Sequence, residues 1–177
     1  TAYEIRNCDW SSDVCSSDLY KYAVLVALMD LCLEQANQHG DPPVSVTTVQ
    51  LAQKVVELYW PQVRPFPIPG APGGAKVLDQ NTGPQAKIIS EIEKHKRRHP
   101  ERVSFHRARV EGKGEFSKLL RKVERTLVEM PLPKLQRAGR RVDDFLYRIR
   151  WDDGIRRSEF KSSRFDNLIR FKPGAAR

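Results

Sequence analysis

Cysteine is scarce in this chain, with three in 177 residues, at positions 8, 15 and 32. No two have Cys-x-x-Cys spacing, so the sequence holds no zinc knuckle. Long apolar runs are also missing. The longest, Tyr22 to Leu33, is interrupted by Asp30 and falls short of the roughly 20 residues that a spanning helix needs. The sequence does not open on a basic region followed by an apolar run, so no secretory signal is visible. These absences together predict a protein of the reducing cytoplasm. No P-loop, dinucleotide fingerprint, serine-centred nucleophile elbow or H-E-x-x-H occurs. No internal repeat with a period of 20 to 50 residues is present.

Residues 1 to 19, TAYEIRNCDWSSDVCSSDL, have neither a helical nor a strand period and repeat Ser-Ser-Asp. They resemble the translation of a sequencing-library adapter. TAYEI matches its constant start, Arg6 and Asn7 stand at a variable index, and CDWSSDVCSSDL matches its constant end. We therefore expect residues 1–19 to be an artefactual leader, and the chain's start at Thr1 predicts that the natural start is missing. Setting the leader aside removes Cys8 and Cys15 and leaves Cys32, a thiol on an apolar stretch that reads as a small core residue.

What is plentiful is positive charge. The whole chain carries 31 Lys and Arg against 22 Asp and Glu, net +9. Residues 20–177 carry 30 against 18, net +12, and all of that surplus lies in residues 91–177. Excess of this sign favours a polyanion such as nucleic acid. The first half is expected to be scaffold and the second half to meet the partner. A 40% hydrophobic, 30% charged composition fits one globular domain.

Periodicity predicts a largely buried helix over residues 20 to about 38, with Leu25, Leu28, Met29, Cys32 and Ala36 at three- and four-residue steps. Gly40, Pro42 and Pro43 stop it. A second helix is expected after Thr47, whose hydroxyl has capping-box spacing to Gln50. Val49, Ala52, Val56 and Tyr59 would line its inner face. Residues 60–76 form a Pro/Gly-rich loop. A third helix starts near Pro84 and carries Ile88, Ile89 and Ile92 into the basic stretch KHKRRH. Val103–Val110 reads as a short strand. The clearest amphipathic helix spans about Glu115 to Met130, with Phe116, Leu119, Leu120, Val123 and Leu127 inward and Lys118, Arg121, Lys122 and Arg125 outward. DDFLYRIRWDDG alternates as a half-buried strand, and NLIRF is a last one. The expected class is α+β, predominantly α-helical with a small C-terminal β element.

Candidate sites follow from the basic clusters. Lys94, Lys96, Arg97, Arg98, Arg140 and Arg141 are the expected nucleic-acid-binding residues, since cations at helix and loop ends suit backbone phosphates. The alternative for KHKRRH is a solvated helix end whose cations meet the carbonyl dipole. His95 and His99 have i, i+4 spacing, but no acid or cysteine completes a metal site there. Glu111-Gly112-Lys113 has the E-x-K spacing of magnesium nucleases, with Asp79 the candidate upstream acid, yet the flanking Gly112 and Gly114 read as a turn. Tyr147 and Trp151 beside Arg148 and Arg150 are either base-stacking or core, and the alternation favours core. No catalytic residue, metal ligand or cofactor is assigned.

The segments YKYAVLVALMDLCLEQ, LAQKVVELYWPQVRPF, VLDQNTGPQAKIISEI, VERTLVEMPLPKLQ and DDFLYRIRWDD resemble, in pattern and order, the region before the nuclease module in a group of bacterial HNH endonuclease proteins. The resemblance covers nearly all of 20–177. It implies phosphodiester hydrolysis by a His-Asn-His module lying further along, in which a histidine acts as general base and a divalent metal stabilises the leaving oxygen. His39, His95, His99 and His106 do not form that pattern, so no catalytic residue transfers. Residues 20–177 are thus expected to be the helical, non-catalytic, DNA-associating N-terminal region of such an enzyme, cut off before its module and inactive alone. The alternatives are a DNA-binding regulator with a degenerate winged helix and a protein-interaction module.

Overall fold

The computed structural model describes residues 16–64, 86–101, 104–138, 141–142 and 144–175. The leader up to residue 15 and most of the Pro/Gly-rich loop, residues 65–85, lie outside the described residues. So does the upstream acid Asp79.

The first helix, α1 (Ser16–Glu34), is apolar nearly all round. Val24, Ala27, Leu28 and Leu31 face the core, whereas Tyr22, Val26, Met29 and Leu33 are exposed. It ends short of residue 38 because Asn37 organises a turn. The Asn37 side-chain oxygen accepts the N–H groups of His39 and Asp41, and Gly40 takes a positive φ of 81°, which glycine adopts without strain. Strand β1 (Ser45–Thr47) follows and leads directly into α2 (Thr48–Tyr59). The capping box forms as the spacing predicts. Thr47 Oγ1 accepts the Gln50 N–H at 3.2 Å, and Gln50 Oε1 accepts the Thr47 N–H at 2.8 Å. Leu51, Ala52, Val55, Val56 and Tyr59 are buried. Each large aliphatic among them contributes about 1.5–3 kcal/mol relative to exposure. Val49, expected inside, is exposed.

Helix α3 (Lys87–Arg98) buries Ile88, Ile89 and Ile92. Of residues 103–110, expected as a strand, Phe105 to Val110 instead lie in helix α4 (Phe105–Glu111). Ser104 caps it by accepting the Arg107 N–H, and Arg107 pairs with Glu111 one turn on. These local helix signals outweigh the poor alternation. Helix α5 (Lys113–Glu129) buries Phe116, Leu119, Val123 and Leu127. α2 and α5 form the centre, with α1 packed on α2 and α3 on α5. Phe105 meets Trp60 and Phe116 edge-on, at 6.0 and 5.6 Å, and Trp60 and Phe116 lie tilted at 6.5 Å.

Among the described residues, two small antiparallel sheets complete the fold. Strands β2 (Arg137–Ala138) and β3 (Arg141–Val142) pair with one another. The other sheet has three strands, with β5 (Leu168–Phe171) between β1 and β4 (Tyr147–Arg148). Val46 stands opposite Ile169, and Tyr147 opposite Phe171. The class is α+β and predominantly helical. Its β element is not purely C-terminal, because β1 comes from residues 45–47. The strand expected from DDFLYRIRWDDG shortens to two residues because a side chain takes over part of the pairing. Gln136 Oε1 accepts the N–H groups of Leu146 and Tyr147, and its Nε2 donates to the Tyr147 carbonyl. The Tyr147 hydroxyl donates to the Leu132 carbonyl, and the short helix α6 (Arg157–Phe160) precedes β5. Among the described residues no helix is long and apolar enough to cross a membrane.

Candidate nucleic-acid interface

The basic stretch KHKRRH ends α3, and its cations divide between surface and core. Lys94, Arg97 and Arg98 are exposed. Lys94 pairs with Glu91 at 3.3 Å and Arg97 with Glu93 at 3.6 Å. Lys96 turns inward. Its ammonium donates to the Trp60 carbonyl at 2.8 Å, stands 3.5 Å from the Val63 carbonyl, and lies 5.1 Å from the centre of the Trp60 ring. It therefore closes the C-terminal end of α2, where free carbonyls attract a cation. Burial, and then the charge of Arg64, hold its pKa below the usual lysine value. The helical wheel contains the signal for this: Lys96 follows Ile88 and Ile92 at four-residue steps, on the apolar stripe. Arg140 lies outside the described residues. Arg141 stands in β3, with its side chain undescribed.

Helix α5 supplies cations that the basic stretch alone did not point to. Lys94 and Arg98 of α3 and Lys118 and Lys122 of α5 line one shallow depression between the two helices. Glu91 and Glu115 lie in it and bind these cations. Glu91 takes Lys94 and also Lys122 at 2.6 Å, and Glu115 takes Lys118 at 2.7 Å. Burial raises the Glu91 carboxyl, but the hydrogen bonds and charges of Lys122 and Lys94 outweigh it and leave the pKa below the ordinary value. Arg121 and Arg125 continue the band round α5 by helical spacing, and Arg125 is held by Glu129 at 2.6 Å. The band can meet an extended polyanion, since its carboxylates neutralise it only in part.

Past Arg121 the surface drops into a cleft of about 550 Å³, between α5 and the segment 160–167. Glu124 is buried at its floor, 6% exposed. Its Oε1 accepts the Thr48 hydroxyl at 2.5 Å. Burial raises the Glu124 pKa against the opposing effects of that hydrogen bond and of Arg121.

The other motif candidates do not assemble. His95 is buried with its ring 5.0 Å from that of His99. Glu111 is exposed and paired with Arg107, and Lys113 opens α5. Among the described residues there is no group of three or more His, Cys, Asp or Glu that would hold a metal. Tyr147 is core, and the Trp151 indole donates to the Val128 carbonyl at 3.1 Å.

Fold and surface together define a helical α+β domain whose described residues carry a cationic band and polar clefts. The chain belongs to the family described as a domain of unknown function, DUF8808, whose model matches residues 16–163. No curated protein and no solved structure matches the chain.

Proposed function

We propose that this domain associates with nucleic acid through backbone phosphates on the α3–α5 band, as the non-catalytic N-terminal region of an HNH-type endonuclease whose metal-dependent module is not in this chain. The observation that carries the reading is the convergence of Lys94, Arg98, Lys118 and Lys122 around one depression, in the half of the sequence that holds the entire charge surplus. Cations so arranged contact phosphates without reading bases, so they position a duplex and leave specificity elsewhere. Each phosphate contact releases counterions, which makes affinity fall with salt by about 0.9 log units per log unit and contact on duplex DNA. Anisotropy titrations at several salt concentrations test the reading. The parent should bind duplex DNA, and the variant with Lys94, Arg98, Lys118 and Lys122 all changed to Ala should have a slope flatter by about 3.6 units. No binding at low salt, or an unchanged slope, removes the proposal.

The protein-interaction reading has one observation of its own. Tyr22, Val26, Met29 and Leu33 are exposed along one stripe of α1, and beside it Leu25, Cys32, Leu146 and Phe171 line an apolar groove. A winged-helix regulator fits less well, because α2 is packed against α1, α3 and α5 and its lysine, Lys54, is held by Glu34 and Glu57.

A further inference from the structure

A carboxyl group buried with a single hydroxyl, that of Thr48, as its hydrogen-bond partner among the described residues, and only the charge of Arg121 to offset burial, is costly, and the fold gains little from Glu124. Leucine in its place would continue the apolar stripe of half-buried Leu120 and buried Leu127. The carboxyl instead lines the cleft.

The α5 wall of that cleft carries Ser117 and Arg121, and the facing segment carries Lys161, Ser162 and Ser163 together with Phe160 and Phe165, whose rings meet at 5.3 Å. The volume, about 550 Å³, is of the size that takes a single small ligand. Cations with hydroxyls suit a phosphate, an aromatic wall suits a base, and a carboxylate accepts hydrogen bonds only. Guanine alone among the common bases presents two adjacent N–H donors on its pairing edge, the complement of a carboxylate.

We propose that this cleft holds one unpaired guanine nucleotide. Its phosphate lies on Arg121 and Lys161, its ring on the Phe160–Phe165 wall, and its N–H edge on the Glu124 carboxyl. A base within a duplex cannot reach a floor of this kind, so the nucleotide is extruded or comes from a single-stranded stretch. The choice of a nucleotide as ligand rests on the nucleic-acid reading above, but the cleft lies on the other side of α5 from the Lys118–Lys122 depression.

Calorimetric titration of the full chain with dGMP, dAMP and inorganic phosphate tests this. dGMP should bind saturably and about tenfold tighter than dAMP, the discrimination expected of one bidentate base contact. Glu124→Gln keeps an acceptor for Thr48 and the side-chain volume, and should bring the two nucleotides within about twofold. Arg121→Ala with Lys161→Ala should weaken both nucleotides alike, and far-UV circular dichroism should show both variants folded. Equal affinity for dGMP and dAMP in the parent, or a preference that survives Glu124→Gln, overturns the proposal. So does the absence of saturable nucleotide binding. The variant lacking Lys94, Arg98, Lys118 and Lys122 keeps the two ideas apart. If the parent fails to bind duplex DNA while dGMP still saturates in parent and variant, the duplex-binding reading falls and the cleft stands. The converse result removes the cleft alone.

Discussion

Changing Lys96 to Ala separates the structural cation of α3 from its surface neighbours. The ammonium makes a charge-assisted hydrogen bond of 2.8 Å to the Trp60 carbonyl and lies over the Trp60 ring. The first contact is worth about 1.5–3 kcal/mol and the second about 0.5–1 kcal/mol. Burial of the cation, which also lowers its pKa, works against both. The net loss should be about 2 kcal/mol. With a urea slope of about 2 kcal/mol per molar for a small domain, the unfolding midpoint falls by about 1 M. Lys96→Met keeps the stem that packs beside Trp60 and should fall between the two. Arg97→Ala and Arg98→Ala, exposed and held by at most one surface ion pair, should move the midpoint little. The assay is urea denaturation followed by circular dichroism, paired with the salt dependence of DNA binding. Lys96→Ala should lower stability and leave the slope alone, and Arg98→Ala should do the reverse. An unchanged midpoint for Lys96→Ala, or a slope change as large as that of Arg98→Ala, would refute the inward assignment.

Three other outcomes follow. Glu124 has its folded pKa raised, so its stabilising contribution is complete below the ordinary glutamate range and is lost as pH rises through the raised value. Glu124→Gln should accordingly be more stable than the parent at neutral pH and converge with it near pH 4, which denaturation at a series of pH values measures. Gln136→Ala orphans two N–H groups and loses one bond to a carbonyl around Tyr147, so it should cost about 3 kcal/mol in the same denaturation assay. The chain should not cleave DNA with magnesium, manganese, nickel or zinc; plasmid cleavage that disappears in Glu111→Ala or Lys113→Ala would put a site at that spacing after all.

The parts of the fold that the sequence made legible are those with a local cause. Thr47 and Gln50 stand three apart and cap each other, α5 has its apolar stripe, and NLIRF becomes β5. Residues 103–110 misled because Val103, Phe105 and Val110 suggest a strand, while Ser104 and the Arg107–Glu111 pair act at helical range. For the candidate interface, runs of charge were a poor guide and faces a better one. Lys96 sits inside a basic run yet shares a stripe with Ile88 and Ile92. Lys118 and Lys122 were visible as outward residues of α5, but that they face Lys94 and Arg98 depends on how α3 lies against α5, a tertiary fact. Glu124 sits among Leu120, Val123 and Leu127, and a lone acid on an apolar stripe was the available sign of the cleft.

The pairing of Ser45 with Arg170 has a bearing on how the chain can be made and cut. The family match ends at residue 163, ahead of β5, yet β5 is the strand between the other two. The helices can collect around α2 and α5 from nearby sequence, but the sheet must wait until residues 168–171 are synthesised, because its closing contacts join distant parts of the chain. A piece ending at residue 163 would leave β1 and β4 with unpaired edges on an otherwise assembled helical body. Open edges of that kind pair with strands of other chains. The unit that folds cleanly is therefore longer than the family match, and a boundary drawn at residue 163 would yield a sticky protein from a well-behaved one.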